Sequence, residues 1–173
     1  VNGTVYSFNK GNGDIIWSLN TGGGISHSPT ISSQNTLFIG SSGDDGKIVS
    51  IDGNTGKVNW EFLFRDQSWT NRGQSPGSPV TSGDDGTLYA METRHIIAID
   101  VETGKEKWNW GARFHIYASP VIAADGTIYL GTHGSEVVGL NPETGTLELE
   151  HRTPGSVNSS VAITEDNDIY YVT

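Results

Sequence analysis

The chain has no cysteine, which excludes disulfides and thiolate metal sites while leaving the compartment unidentified. Cationic side chains are scarce: 10 Lys and Arg stand against 20 Asp and Glu, for a net charge of −10. Nucleic-acid binding relies on clustered Lys and Arg, and anionic lipid repels such a chain, so both partners are disfavoured. Long apolar runs are missing too. No stretch approaches the roughly 18 apolar residues of a membrane span, and no charged-then-apolar leader opens the chain, so a soluble protein is expected. Position 1 is Val and not Met, the mark of a processed protein or an excised piece, which leaves a lost signal peptide open. What is abundant is glycine, 23 of 173 residues, beside 34% hydrophobic residues. That balance suits a turn-rich all-β protein with one substantial core.

The chain repeats itself. S-I-D-G-N-T-G-K-V-N-W at 50–60 returns as A-I-D-V-E-T-G-K-E-K-W at 98–108, with weaker copies at 7–17 and 139–149. Their shared glycines are Gly13, Gly56, Gly104 and Gly145, at spacings of 43, 48 and 41. Ahead of each comes a second element: Ser28-Pro29-Thr30, Ser78-Pro79-Val80, Ser119-Pro120-Val121 and Ser159-Ser160-Val161, each followed by a turn and an apolar run. The chain opens on the second half of a unit and stops after the first half of another. Joining Thr173 to Val1 puts Tyr170 twelve positions before Asn9, the interval that separates Tyr129 from Asn141.

Within each repeat four strands, a to d, are predicted. In the third, strand a is Pro120 to Ala123, b is Thr127 to Gly131, c is Val137 to Leu140 and d is Thr146 to Leu149. Short apolar runs bounded by Gly, Asp, Asn and Pro are strand signals, and Asp85-Gly86 or Asp125-Gly126 between two runs is a hairpin signal. The c-to-d turns put the shared glycine where φ must be positive. Such a unit cannot cover both apolar faces alone, and stacking copies radially does, so a β-propeller of four four-stranded blades is expected. The blades fall at about 26–62, 77–110, 118–150, and 158–173 together with 1–19.

Strand c carries a small residue at one phase, Ser7, Ser50, Ala98 and Gly139, and strand d carries Trp17, Trp60, Trp108 and then Leu149. A Trp supplies large buried area and an N–H that needs a partner. The run A-x-D-x-x-T-G-K-x-x-W at 98–108 resembles the tryptophan-docking motif of PQQ-type propeller repeats, found in quinoprotein dehydrogenases and in non-catalytic outer-membrane assembly lipoproteins. Ala98, Asp100, Gly104 and Trp108 fit it fully. Repeat two has Ser50 for Ala, repeat one has Ser7 and Asn9, and repeat four lacks both Asp and Trp. The resemblance implies a periplasmic or extracellular location. In true enzymes of the family it implies Arg side chains on the PQQ carboxylates, a Ca²⁺ polarising the quinone and an Asp accepting the substrate proton. No residue here matches that Asp or the calcium ligands, and the vicinal cysteine pair of several members is absent. The family usually builds roughly six to eight blades. Three assemblies therefore stay open: a closed four-bladed ring, a homodimer forming an eight-bladed ring, or a piece of a longer propeller.

Sorting loops by strand pair separates the charges. All five Arg and all five His lie in or beside the d-to-a and b-to-c loops of one face, which also carries Asp44, Asp45, Glu61, Asp66 and Glu92 and is chemically mixed, while the a-to-b and c-to-d turns opposite carry mostly acids. Loops held by rigid blades commonly carry function. The loop from Trp60 to Ser78 is longer than its counterparts and supplies Trp69, Arg72 and Gln74, either as a recognition set or as a cap over the ring. The candidate ligand-binding residues are His27, Trp69, Arg72, Gln74, Arg113, His115, His133 and Arg152, with no catalytic and no metal-ligating residue assigned. No His has a neighbour at an established metal-ligand spacing. The paired acids of 43–46, 83–86 and 165–168 lack a calcium-loop pattern and read as hairpin turns. The expected function is a non-catalytic PQQ-repeat-like scaffold that binds a protein or a small anionic ligand through the Arg/His face. The alternative is a fragment or half of a PQQ-dependent dehydrogenase, with PQQ and calcium as cofactors.

Overall fold

A computed structural model of the chain describes residues 3–25, 27–42, 46–64, 80–81, 86–164 and 166–173. The described residues form strands alone, sixteen of them. Two, β1 (Thr4–Phe8) and β2 (Ile15–Asn20), make an N-terminal hairpin sheet. Three four-stranded antiparallel sheets follow. The first holds β3 (Thr30–Ile31), β4 (Thr36–Ser41), β5 (Lys47–Asp52) and β6 (Val58–Leu63); the second β7 (Val80–Thr81), β8 (Thr87–Glu92), β9 (His95–Asp100) and β10 (Glu106–Gly111); the third β11 (Val121–Ile122), β12 (Ile128–Thr132), β13 (Glu136–Leu140) and β14 (Leu147–Arg152). A last pair, β15 (Ala162–Ile163) and β16 (Ile169–Tyr170), closes the order. Every sheet pairs strands in chain order, so each four-stranded sheet is a simple up-and-down blade of a β-propeller. In the third sheet the outer strand runs to Arg152, three residues past its predicted end, because β13 offers partners as far as Glu136.

Burial follows position in the blade. The second and third strands are covered on both faces, as in β8, β9 and β13, whereas β14 is exposed throughout. Four apolar clusters fill the gaps between consecutive sheets. One joins Val5, Trp17 and Leu19 to Ile39, Val49 and Ile51. The next joins Phe38, Ile48 and Trp60 to Leu88, Ala90, Ile97 and Ile99. Then Tyr89, Met91 and Trp108 meet Ile128, Leu130, Val138 and Leu140, and finally Val137 and Tyr129 meet Val161, Ile169 and Tyr171. Each sheet contributes one face to the cluster before it and the other to the cluster behind, so continuous Val, Ile and Leu runs in the middle strands replace strict alternation.

One row of side chains recurs across each blade. Phe38 lies opposite Ser50, Tyr89 opposite Ala98 and Tyr129 opposite Gly139. On their other side those small residues face Trp60, Trp108 and Leu149, and in the N-terminal sheet Ser7 faces Trp17. A register shift follows at the same place in all four outer pairs, and such bulges bend a strand and re-aim its side chains. The tryptophans reach the next sheet. Trp17 Nε1 donates to Gly53 O at 2.9 Å, Trp60 Nε1 to Val101 O at 2.9 Å and Trp108 Nε1 to Pro142 O at 2.8 Å. Each indole lies on the turn glycine beyond that carbonyl: a Cβ added at Gly56, Gly104 or Gly145 would come within 2.7, 2.6 or 2.5 Å of the ring. Those glycines have φ of +72°, +68° and +70°, so the turn and the close approach both demand glycine. The partner that each indole N–H needs is thus the following blade.

Candidate functional site

The loops that enter the first strand of each blade are stitched to the hairpins between second and third strands. Ala112 N donates to Arg94 O at 2.6 Å and Ile116 N to Thr93 O at 2.8 Å, anchoring the 112–120 loop on the second sheet. The same loop reaches the third sheet, where His133 N donates to His115 O at 2.8 Å. The following loop joins in through Val157 N to Thr132 O at 3.0 Å and Ser156 Oγ to His133 O at 2.7 Å. Backbone bonding of this kind makes a rigid platform from segments that carry no regular structure.

On that platform His115 and His133 come together around Tyr117. His115 Nδ1 is 3.0 Å from Tyr117 Oη, and the Tyr117 ring meets His115 and His133 edge-on, with centroids 5.8 and 5.6 Å apart. His133 Nδ1 lies 3.2 Å from Asn158 Oδ1. All four side chains are exposed. Beside them the Arg113 guanidinium sits 5.5 Å from the centroid of Phe114, a cation–π distance. Phe114 in turn lies against Gly134, where any Cβ would overlap its ring.

Beneath the 112–120 loop, β8 and β9 end in the directly opposed Glu92 and His95. Burial pushes the Glu92 carboxyl above its usual range against the bond from Thr93 Oγ1. Burial, and then the charge of Arg94, lower the His95 imidazole. Both shifts favour the neutral form. On the opposite face the turns hold carboxylates differently: Asp52 accepts from Asn54 N and Thr55 N, and Asp100 from Thr103 N and Oγ1. Hydrogen bonds of that kind hold both carboxyls below the usual range. These acids shape turns, as Asn9 and Asn141 do in the same positions.

Of the candidates read from sequence, His115, His133 and Arg113 share one patch. Arg152 ends β14, exposed, with its Nη2 4.0 Å from Glu150 Oε1. His27 is exposed between β2 and β3. Trp69, Arg72 and Gln74 lie outside the described residues. Sequence reasoning missed Tyr117 and Asn158. An aromatic residue inside a loop already holding Arg113 and His115 was the available signal for the first, whereas Asn158 has none, because only folding brings it beside His133. Among the described residues no three His, Asp or Glu side chains converge as metal ligands.

A family model described as outer membrane protein assembly factor BamB matches residues 1–171. The serine/threonine-protein kinase AfsK of Streptomyces griseus is 26% identical over 86 residues, half of this chain and a tenth of that protein. Among solved structures, BamB from Moraxella catarrhalis superposes with a TM-score of 0.78 at 18% identity, over 98% of this chain and 53% of that one. A europium-containing methanol dehydrogenase gives 0.72 at 12% identity, over 98% of this chain and 43% of that one. The chain therefore spans about half the length of these propellers.

Proposed function

Because the chain belongs to the BamB-like family of PQQ-type β-propeller repeats, we propose that it is a non-catalytic scaffold that binds a partner protein on its Arg/His face. The observation that carries this reading is the exposed His115–Tyr117–His133 cluster on a hydrogen-bonded loop platform. Exposed aromatic rings beside imidazole and guanidinium groups offer stacking and hydrogen bonds at little ordering cost, the features that make binding hot spots. The family description, an assembly factor of the outer membrane, supports a protein ligand and a compartment beyond the cytoplasmic membrane. Fold alone does not supply function, so the proposal stands on the patch.

A photo-crosslinking side chain at position 117 of the full protein, introduced in its native cells, tests it. The expected result is one defined protein adduct from position 117 and none from position 143, on the opposite turns, with the adduct lost in His133→Ala. A second reading, an anionic small-molecule site, rests on Arg113 held over Phe114 beside the two imidazoles. Its quinoprotein form is tested by adding PQQ with Ca²⁺ and an alcohol or aldose. A raised melting temperature with sustained reduction of a dye overturns the non-catalytic proposal.

A further inference from the structure

One backbone frame recurs in the loops that follow β2, β10 and β14, and it carries large side chains only once. Thr21 N donates to Gly3 O at 2.9 Å, Ala112 N to Arg94 O at 2.6 Å and Thr153 N to Ser135 O at 2.9 Å, so each loop leaves its outer strand in the same way. Four residues on, Ile25, Ile116 and Val157 turn into the apolar clusters. The residue before is tied to the next hairpin by Ser42 N to Gly24 O and by His133 N to His115 O, at 2.7 and 2.8 Å. The three intervening positions hold Gly22, Gly23 and Gly24 after β2, and Pro154, Gly155 and Ser156 after β14. After β10 they hold Arg113, Phe114 and His115, with Tyr117 two residues further on.

Folding therefore makes no demand for large side chains at 113–115, since glycine, proline and serine serve in the same frame. Phe114 and Tyr117 nonetheless stand 37% and 61% exposed. Apolar surface kept in water by one loop, where its counterparts show none, marks a contact surface. Charge points the same way. The face as a whole is mixed, yet no Asp or Glu occurs in 111–120, 132–135 or 153–161, the segments that bring Arg113, His115 and His133 together. Arg94 joins them, exposed, from the hairpin that anchors the loop. The acids at the foot of these hairpins, Glu92 and Glu136, are buried. An island of cationic and imidazole groups thus lies on a chain of net charge −10.

We propose that this island receives an acidic segment of the partner protein, a carboxylate held among Arg113, His115 and His133 with its apolar or aromatic neighbours laid on Phe114 and Tyr117. The inference rests on the protein-binding reading given above and names the chemistry of what is bound. Guanidinium and imidazolium groups hold carboxylates through charge-assisted hydrogen bonds, and complementary charge across an interface selects partner and register. A short segment fits better than an extended polyanion. The phosphates of a nucleic acid or of an anionic membrane would run off the island onto a chain with 20 Asp and Glu against 10 Lys and Arg, and be repelled. A carboxylate among neutral residues stays within it.

The test reads the partner's own sequence. An aromatic photo-crosslinking side chain at position 117 of the full protein is activated in its native cells, and the adduct is digested and sequenced by mass spectrometry. The expected partner segment carries Asp or Glu within a few residues of the linkage. Arg113→Glu should lower adduct yield by roughly tenfold or more, because like charges oppose each other across the interface, and Arg113→Gln should lower it less. Lys105→Glu, the same reversal on the opposite turns, should leave it unchanged. Replacing the partner's acid by Arg should then restore capture by the Arg113→Glu protein, a rescue that a merely misfolded variant would not show. A protein adduct whose linked segment lacks acids, or whose yield ignores Arg113→Glu, overturns the acidic-segment inference and leaves the protein-binding reading standing. An adduct to nucleic acid or lipid, or no adduct, overturns both.

Discussion

Replacing Gly104 by alanine separates the contact between blades from the conformation of the turn. Gly104 and Gly13 occupy the same turn position with φ of +68° and +79°, so alanine at either meets the left-handed penalty of about 1–2 kcal/mol. Only at Gly104 does the new methyl also enter the Trp60 ring, at 2.6 Å from Cδ2. The ring cannot swing away without losing its bond to Val101 O, and overpacking of that kind costs about 1–3 kcal/mol more. Gly104→Ala should therefore lose about 2–5 kcal/mol and Gly13→Ala about 1–2 kcal/mol. Urea unfolding followed by far-ultraviolet circular dichroism measures both from midpoint and slope. A double-mutant cycle sharpens the test. In a Trp60→Ala background the methyl finds room, so Gly104→Ala should cost only the turn penalty, leaving a coupling of about 1–3 kcal/mol. Equal losses at Gly13 and Gly104, together with zero coupling, would show that the indole does not rest on the turn and would refute the reasoning.

Other consequences are checked in the same way. Trp108→Ala should cost about 3–5 kcal/mol in urea, as large aromatic truncations in cores do, while Trp108→Phe should forfeit the Pro142 bond, about 1 kcal/mol, on top of a smaller packing loss. Asp100 has a lowered pKa, so its contribution is present above its ordinary value of 3.8 and is lost as pH falls through the lowered one. Asp100→Asn should flatten the acid limb of a stability–pH curve, and an unchanged limb would remove the turn from the account. Glu92 has a raised pKa, so its contribution is present below 4.5 and lost as pH rises through the raised value; Glu92→Gln should abolish that decline. Tyr117→Ala should change stability by under about 0.5 kcal/mol, as exposed substitutions do, while eliminating partner capture.

The architecture was legible because local signals agreed with the global packing. Turn glycines, Asp-Gly hairpins and apolar runs of strand length all recur at one period, so the middle strands and the positive φ at Gly56, Gly104 and Gly145 follow from sequence. The use of the tryptophans was half legible. Pairing Ala98 with Trp108 locates both on neighbouring strands, but the carbonyl receiving the indole belongs to Pro142, and nothing local to either residue announces it. The site was less legible still. The placement of His115 and His133 on one loop face was legible because loop assignment follows from strand order. Their convergence on Tyr117 depends on bonds between loops 18 residues apart, such as His133 N to His115 O, which leave no pattern in the sequence.

The indole-to-turn contacts all point the same way, from each sheet to the one after it. A chain of latches with one sense gives the arc a polarity in time as well as in space. In a stack whose units touch only their neighbours, opening begins wherever the last latch is missing and spreads inward. The β15–β16 pair follows Leu149, so no indole holds it, whereas the β1–β2 pair keeps its own grip on Gly53. Amide protons of Ala162 to Tyr170 should exchange first, those of β1 and β2 later, and those of β8 and β9 last. The loosening would therefore begin at the sheet that no indole reaches.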